Sequence, residues 1–215
     1  FSFKNFYLRR ARRLLPALFT VIIFSIPFAW IYIMPSEMQN YALSVISSLL
    51  FGSNFLFWGE NNYFTIESLL KPFLHTWSLA LEEQFYLIFP LILFVIWKFF
   101  KKKIIIIFLF GFIASLLLAQ YLSVTAPEAS FYLFPSRAWE LLAGVFVAKF
   151  EIDYSSKKKL SNKFIPYIGL LLIFISFFTI NENTLHPSVF TIIPVAGTAI
   201  FIWSSSSSVF LTNIL

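Results

Sequence analysis

The chain alternates between long runs of apolar residues and short clusters of basic ones. The apolar runs reach about 20 residues, the length that an α-helix needs to cross the hydrocarbon core of a bilayer. The predicted helices cover residues 14–36, 40–58, 79–100, 104–122, 131–148, 164–180 and 189–203. The pattern therefore predicts an all-α protein, a polytopic bundle of about seven transmembrane helices, followed at residues 204–215 by a linker and the start of a further helix.

The composition excludes a soluble globular protein. Of the 215 residues, 59% are hydrophobic and only 12% are charged, about half the charged share of a typical soluble domain. The chain has no cysteine, so we expect neither a disulfide scaffold nor a structural zinc site.

Basic clusters account for the net charge of +6 without a nucleic-acid partner. Only Lys71 and Arg137 lie outside three clusters between the apolar runs. Basic residues beside transmembrane helices usually mark the cytoplasmic side and contact anionic lipids, so we interpret the clusters as membrane anchors. The clusters are Lys4, Arg9, Arg10, Arg12 and Arg13; Lys98, Lys101, Lys102 and Lys103; and Lys149, Lys157, Lys158, Lys159 and Lys163.

The clusters also test the topology, because an even number of crossings must separate two cytoplasmic clusters. Two predicted helices separate the second cluster from the third, whereas three separate the first from the second. Either one of the first three predicted helices does not cross, or one cluster lies outside against the positive-inside tendency. A loop at residues 59–76 that dips into the bilayer would also change the count.

Ionisable residues inside the predicted helices are candidates for a functional site, because each costs roughly 2.5–3.5 kcal/mol near the bilayer centre. At the start of the predicted helix 79–100, Ser78, Glu82 and Tyr86 recur at intervals of four and share one helix face. We predict a site role for Glu82. For Glu83, a position at a helix interface and a functional role both stay open.

A second charged pair lies in the predicted helix 131–148. Arg137 and Glu140 are three residues apart and can pair on one helix face. The pair either only fixes helix packing or lines a substrate path. Gly144 and Ala148 on the same helix predict a close approach of a neighbouring helix.

His75 and His186 are the candidates for an imidazole base near neutral pH. His75 borders Trp77 and Glu82 and is retained as a catalytic candidate, whereas His186 is predicted to be a loop residue without a chemical role. The sequence contains no metal-ligand spacing, P-loop, GxSxG elbow or dinucleotide fingerprint. We therefore expect no metal and no bound cofactor.

Four stretches resemble membrane acyltransferase family 3, the integral-membrane O-acyltransferases that acetylate lipopolysaccharide O-antigens, exopolysaccharides, peptidoglycan and macrolides. These stretches are residues 6–18, 53–55, 75–90 and 131–144, in the order of the family. The block HTWSLALEEQFY at residues 75–86 is highly specific. The chain is most similar to the glycan-modifying branch.

The resemblance implies that residues 1–203 form part of a membrane domain in the bacterial inner membrane. Such proteins transfer an acyl group, here expected to be acetyl, from acyl-CoA to a hydroxyl of a cell-surface or lipid-linked glycan. Acyl-CoA is then a co-substrate. By resemblance, the residues that bind substrates are Arg9, Arg10, Arg12, Arg13, Trp77, Tyr86, Arg137 and Glu140, and the catalytic candidates are Glu82 and His75.

Members of the family begin with two further helices, and the first bears the histidine taken to be the general base. The chain is therefore expected to be a fragment, and an inactive one unless His75 replaces that histidine. The alternative function is a transporter or flippase of lipid-linked sugars with an intramembrane polar path formed by Glu82, Glu83, Arg137 and Glu140. The internal symmetry that transporters often show is not found in the sequence.

Overall fold

The computed structural model describes residues 2–60, 71–155, 164–181 and 184–205. All regular structure within these residues is helical, which confirms the predicted all-α class. The chain forms two compact units, Phe1–Phe99 and Phe100–Leu215. Most of the loop predicted to dip into the bilayer, most of the third basic cluster and the segment 206–215 lie outside the described residues.

Helix α1 (Phe3–Tyr32) begins well before the predicted helix 14–36. The Ser2 hydroxyl caps its first turn by accepting a hydrogen bond from the backbone N–H of Asn5 at 3.4 Å. The difference arises because the sequence prediction started where the charges end, whereas arginine and lysine are themselves good helix formers. The arginine cluster consequently lies on the surface of a helix.

The prediction of one continuous helix over residues 40–58 is wrong. The chain forms α2 (Met38–Leu49) and α3 (Ser53–Gly59), separated by a turn in which Phe51 has a left-handed φ of 52°. The turn is closed by the backbone N–H of Gly52, which donates to the carbonyl of Ser47 at 2.8 Å. At 1.5 Å per residue, neither helix alone reaches the ~30 Å of a bilayer core.

Helix α4 (Thr76–Phe100) agrees with the predicted helix 79–100 apart from an earlier start. The Thr76 hydroxyl donates to the carbonyl of Phe73 at 2.7 Å and lies 2.8 Å from the hydroxyl of Ser48. The start of α4 is therefore tied to α2.

Contacts between α1 and α4 show that the two helices run antiparallel. The Tyr7 hydroxyl donates to the carbonyl of Leu87 at 3.0 Å, and the rings of Phe3 and Phe94 lie 6.0 Å apart. The start of α1 at Phe3 consequently lies near the end of α4, whereas Arg10 lies beside Glu83 in the second turn of α4, about 20 Å along the helix from Lys98. In this unit α1 and α4 are long enough to cross a bilayer, whereas α2 and α3 are individually too short.

The second unit contains α5 (Ile104–Thr125), α6 (Pro127–Tyr132), α7 (Phe134–Ser155), α8 (Ile165–Thr179) and α9 (Ile192–Ser205). The prediction of a single helix over residues 131–148 is wrong at its start, because Leu133 is extended and separates α6 from α7. Pro135 then occupies the first turn of α7, where its missing N–H costs little.

Helix α7 is held against α5 by a buried serine and an aromatic cluster. The Ser115 hydroxyl donates to the carbonyl of Pro135 at 2.6 Å and accepts from the backbone N–H of Trp139 at 3.0 Å. The Trp139 ring is fully buried and meets the edge of Phe112 at 5.8 Å. These contacts fix the start of α7, where Arg137 and Glu140 lie.

The close helix approach in the second unit occurs at a different glycine from the predicted one. A Cβ atom at Gly169 on α8 would lie 2.7 Å from the carbonyl oxygen of Gly197 on α9, so the two backbones touch directly. By contrast, no described atom would lie within 4 Å of a Cβ at Gly144. The prediction that Gly144 and Ala148 mark a close helix contact is therefore wrong among the described residues, since both line an open cleft.

Two stretches of the described chain, Phe3–Tyr32 and Thr76–Thr125, are long and apolar enough to cross a membrane. The second stretch includes α4 and α5. Phe24, Phe110 and Phe177 are among many large apolar side chains on exposed helix faces, and soluble proteins rarely expose such faces. Exposed apolar faces of this kind are expected for helices in a bilayer, while the predicted number of seven crossings is larger than the number of long apolar stretches in the described chain.

The glycine contact between α8 and α9 gives a stability prediction. We expect Gly169→Ala to lower the melting temperature of the purified protein by several degrees, because overpacking at a rigid backbone contact costs about 1–3 kcal/mol. The matched control, Gly144→Ala, adds a methyl group in open space and should leave the melting temperature unchanged. Equal melting temperatures for both variants would contradict the close contact.

Candidate functional site

A cleft of about 260 Å³ lies in the first unit between α1, α4 and the turn that joins α2 to α3. Most of its wall is apolar and includes Leu14, Leu15, Leu50 and Leu87. Its polar groups come mainly from α4. An apolar cleft with a few polar groups is the usual form of a small-molecule site.

Arg10 and Glu83 form an ion pair in this cleft. The Nη2 and Nε atoms of Arg10 both donate to Oε1 of Glu83, at 2.6 and 3.2 Å. The guanidinium also lies over the ring of Tyr86, 3.3 Å from its centre. The side chains of Arg10 and Glu83 are only 20% and 13% exposed, so the pair is shielded from water and the orientation of the guanidinium is fixed.

Gln84 connects the cleft to the break between α2 and α3. Its amide nitrogen donates to the carbonyl of Phe51 at 3.0 Å and to Oδ1 of the fully buried Asn54 at 2.8 Å. The left-handed turn at Phe51 is therefore held by a side chain of α4. This contact explains why the residues around Asn54, which the family resemblance includes, do not continue α2.

The other predicted site residues of the first unit lie outside the cleft. Arg9, Arg12 and Arg13 are exposed on α1, and Glu82 is exposed on α4. His75 is also exposed just before α4 and stacks on Phe73 with ring centres 6.3 Å apart. Trp77 is half-buried.

The two catalytic candidates are both exposed near the start of α4. His75 lies just before the helix, and Glu82 lies seven residues later, in its second turn. Glu83, the neighbour of Glu82, is the carboxylate that lines the cleft. The catalytic roles of His75 and Glu82 stay predictions.

The second unit holds a separate polar cluster at the start of α7. Nη2 of Arg137 lies 3.2 Å from Oε1 of Glu140 and donates to Nε2 of His186 at 3.0 Å. The guanidinium lies 5.3 Å from the ring centre of Phe131, and the imidazole meets the same ring edge-on at 6.0 Å. The sequence pair Arg137 and Glu140 is thus in contact, and a histidine from the loop between α8 and α9 joins it.

His186 is uncharged at neutral pH in this cluster. Burial of the imidazole and, secondarily, the positive charge of Arg137 lower the pKa of His186 from 6.5 to about 4. A neutral imidazole that accepts at Nε2 carries its proton on Nδ1. The cluster therefore holds one tautomer of His186 in a fixed orientation.

A second cleft, of about 460 Å³, lies between α7 and α9 and includes Glu140 in its lining. Gly144, Ala148 and Thr198 line its middle, and Glu151 lies farther along α7. The polar cluster and this cleft therefore meet at Glu140. Among the described residues, no three His, Asp or Glu side chains are grouped as a metal site would require.

From the sequence alone, the role of Glu83 stays open, Gln84 is not singled out and His186 is assigned no chemical role. Glu83 and Gln84 lie inside the specific block at residues 75–86. The recurrence of Ser78, Glu82 and Tyr86 at intervals of four, however, indicated the neighbouring helix face. His186 has no signal in the sequence, because its contact with Arg137 joins residues 49 positions apart. Local spacing identifies partners on one helix and not partners from another element.

In comparisons with known proteins, one family model matches the whole chain. The family model described as "Acyltransferase domain" matches residues 1–215. An uncharacterized protein of Haemophilus influenzae is 32% identical over 219 residues, which cover 97% of this chain and 89% of that protein. No solved structure matches the chain.

Two further relatives are named as O-acetyltransferases. The peptidoglycan O-acetyltransferase OatA of Listeria monocytogenes is 34% identical over 152 residues, which cover 67% of this chain and 24% of that protein. The O-acetyltransferase OatA of Staphylococcus aureus is 30% identical over 170 residues, which cover 78% of this chain and 28% of that protein. The chain thus spans about a quarter of the length of these two relatives.

The lowered pKa of His186 predicts how stability depends on pH. Because the folded pKa lies below the unfolded value, the unfolded chain takes up this proton first, so stability is complete above pH 6.5 and falls as the pH drops towards 4. We expect His186→Asn to flatten the fall in melting temperature between pH 7 and pH 4.5. The control Asn181→Ala, in the same loop, should keep the wild-type slope, and a parallel slope for His186→Asn would contradict the prediction.

Proposed function

Because the chain belongs to the acyltransferase family whose domain matches residues 1–215, we propose that it transfers an acetyl group from acyl-CoA to a hydroxyl of a glycan in the cell envelope. The observation that carries the proposal is the similarity of this chain to two O-acetyltransferases over 67% and 78% of its length. One of them is named for peptidoglycan, so peptidoglycan joins lipopolysaccharide O-antigen and exopolysaccharide as a candidate acceptor.

Exposed arginines on α1 support acyl-CoA as the donor. Arg9, Arg12 and Arg13 are separated by intervals of three and four, so they lie along one side of the helix. Guanidinium groups bind phosphate oxygens bidentately, and coenzyme A carries several phosphates. The three arginines are solvent-accessible, which a phosphate site requires.

The reaction needs a base and an activated carbonyl. A base removes the proton of the sugar hydroxyl, the oxygen attacks the thioester carbonyl, the C–S bond breaks as the C–O bond forms, and the thiolate of coenzyme A takes up a proton. We assign the base to Glu82, which is exposed on α4, or to His75, which is exposed just before α4. These 215 residues contain no cysteine, so they offer no thiol for an acyl-enzyme intermediate.

The acceptor is proposed to bind near charged groups that can hydrogen-bond to sugar hydroxyls. In the second unit, Arg137, Glu140 and His186 present such groups beside the cleft between α7 and α9. In the first unit, Trp77 and Tyr86 offer aromatic surface on α4.

The membrane placement follows from the same helices. We propose that α1 and α4 lie in the bacterial inner membrane and that the exposed arginines of α1 face the cytoplasm. The donor acyl-CoA is cytoplasmic, so this orientation brings the exposed arginines to the compartment of the donor.

Acetyl transfer in membranes tests the proposal directly. Membranes from cells that express the protein would be incubated with radiolabelled acetyl-CoA and, in separate reactions, with peptidoglycan fragments, lipopolysaccharide O-antigen or exopolysaccharide. We expect label on one glycan and its release by mild alkali, which cleaves O-esters. Labelling of none of these glycans above membranes without the protein would overturn the proposed function.

Removal of the candidate base should abolish transfer. We expect Glu82→Gln to lower acetyl transfer by about 100-fold or more, because general-base catalysis contributes 10²–10⁴-fold, while the protein still inserts into the membrane. The control Glu37→Gln changes another exposed carboxylate of the first unit and should keep activity. Wild-type activity in Glu82→Gln would remove Glu82 from the site.

Loss of two exposed arginines should weaken donor binding. We expect Arg9→Ala combined with Arg13→Ala to raise the KM for acetyl-CoA by about tenfold or more, because hydrogen bonds to charged groups contribute 1.5–3 kcal/mol each. The kcat should change little. The control Lys4→Ala removes a nearby charge on the same helix, and an unchanged KM in the arginine variant would leave the cluster with an anchoring role only.

A further inference from the structure

We propose that the cleft around Arg10 and Glu83 binds the uncharged, amide-bearing arm of the acyl-CoA donor, and that Arg10 is not a phosphate ligand. The inference rests on the proposed function and divides the arginine cluster into two parts. Arg9, Arg12 and Arg13 bind phosphates on the exposed side of α1. Arg10 instead fixes the carboxylate of Glu83 as an acceptor for the arm.

The charge of Arg10 is already neutralised inside the cleft. Its Nε and Nη2 atoms donate to Glu83, and its flat face lies on the ring of Tyr86 at 3.3 Å. A phosphate at this position would have to displace a shielded carboxylate, which would then be buried without its partner. Breaking such a pair is strongly unfavourable, so the cleft is suited to a neutral ligand.

Beside the N–H groups of Arg10 that Glu83 does not use, the cleft offers two acceptor oxygens. Both hydrogen bonds of Arg10 go to Oε1 of Glu83, and within the part of the chain that the structure describes Oε2 has no hydrogen-bond donor. Gln84 uses its amide nitrogen on Phe51 and Asn54, so its Oε1 remains as an acceptor. A ligand that satisfies these two oxygens must supply N–H or O–H groups.

The lining of the cleft favours an uncharged ligand segment. The cleft has a volume of about 260 Å³, and its wall is mainly apolar, which disfavours the charged phosphates of a nucleotide. Four leucine side chains contribute to this wall. A segment with amide N–H and hydroxyl groups separated by methylene groups matches this combination, and the pantetheine arm of coenzyme A has that chemistry.

The position of the cleft on α1 connects it to the exposed arginines. Arg13 is three residues from Arg10, so their Cβ atoms are about 5–6 Å apart. Phosphates bound by Arg13 and its exposed neighbours would therefore leave the attached arm within reach of Glu83. The same helix thus offers a charged surface and an uncharged cleft in adjacent positions.

Binding of donor fragments to the purified full chain tests this division. The probes are acetyl-CoA, S-acetyl-pantetheine, which has the arm without phosphates, and adenosine 3′,5′-bisphosphate, which has phosphates without the arm. We expect Glu83→Gln to weaken S-acetyl-pantetheine about tenfold and to leave the bisphosphate unchanged. Arg9→Ala with Arg13→Ala should show the reverse.

A cleft-filling variant tests the same site without touching the ion pair. Ala11 lines the cleft, so we expect Ala11→Phe to weaken S-acetyl-pantetheine at least tenfold while the bisphosphate still binds. The matched control Ala17→Phe adds the same ring at an exposed position of α1 and should bind both fragments like the wild type.

The alternative results distinguish a failure of this inference from a failure of the proposed function. If the wild type binds acetyl-CoA but not S-acetyl-pantetheine, or if Ala11→Phe and Glu83→Gln bind it normally, the inference is overturned and the donor function stands. If these variants instead raise only the KM for the glycan, the cleft belongs to the acceptor and the inference is again overturned. If the wild type does not bind acetyl-CoA, the proposed donor fails and the inference fails with it.

Discussion

The ion pair between Arg10 and Glu83 is the interaction on which the polar side of the first unit depends. Two charges at the contact of two largely apolar helices are tolerable only when they neutralise each other. The pair joins α1 to α4, and the ring of Tyr86 supports the guanidinium from one side. It therefore sets which helix faces meet and also supplies the polar groups of the cleft.

The cleft has a third wall because α2 ends early. Gln84, next to Glu83 on α4, holds the left-handed turn at Phe51 and the buried amide of Asn54. If residues 40–58 formed one helix, the Phe51 carbonyl would be occupied by the helix and Gln84 would lack an acceptor there. One short segment of α4, which belongs to the block at residues 75–86, thus holds both the ion pair and the break between α2 and α3.

The second unit also holds an arginine among largely apolar helices, but through different contacts. Arg137 is bordered by the carboxylate of Glu140 and by a neutral imidazole from the loop after α8. The start of α7 that carries this arginine is fixed by Ser115 and Trp139, while the contact of Gly169 with Gly197 brings α8 against α9. Small residues and buried hydroxyls, which contribute little to a hydropathy profile, determine where the charged groups are held.

The sequence by itself determined the helical class, the positions of the long apolar helices and the family, because apolar run length and a specific local motif need no partner to be recognised. It also predicted that Arg137 and Glu140 pair, since three-residue spacing on a helix is a local property. Tertiary structure alone decided that Glu83 rather than Glu82 lines the cleft, that α2 breaks at Phe51, and that His186 joins Arg137. The reason is physical: which of two adjacent carboxylates is shielded, which carbonyl accepts and which loop approaches all depend on contacts between residues far apart in the chain.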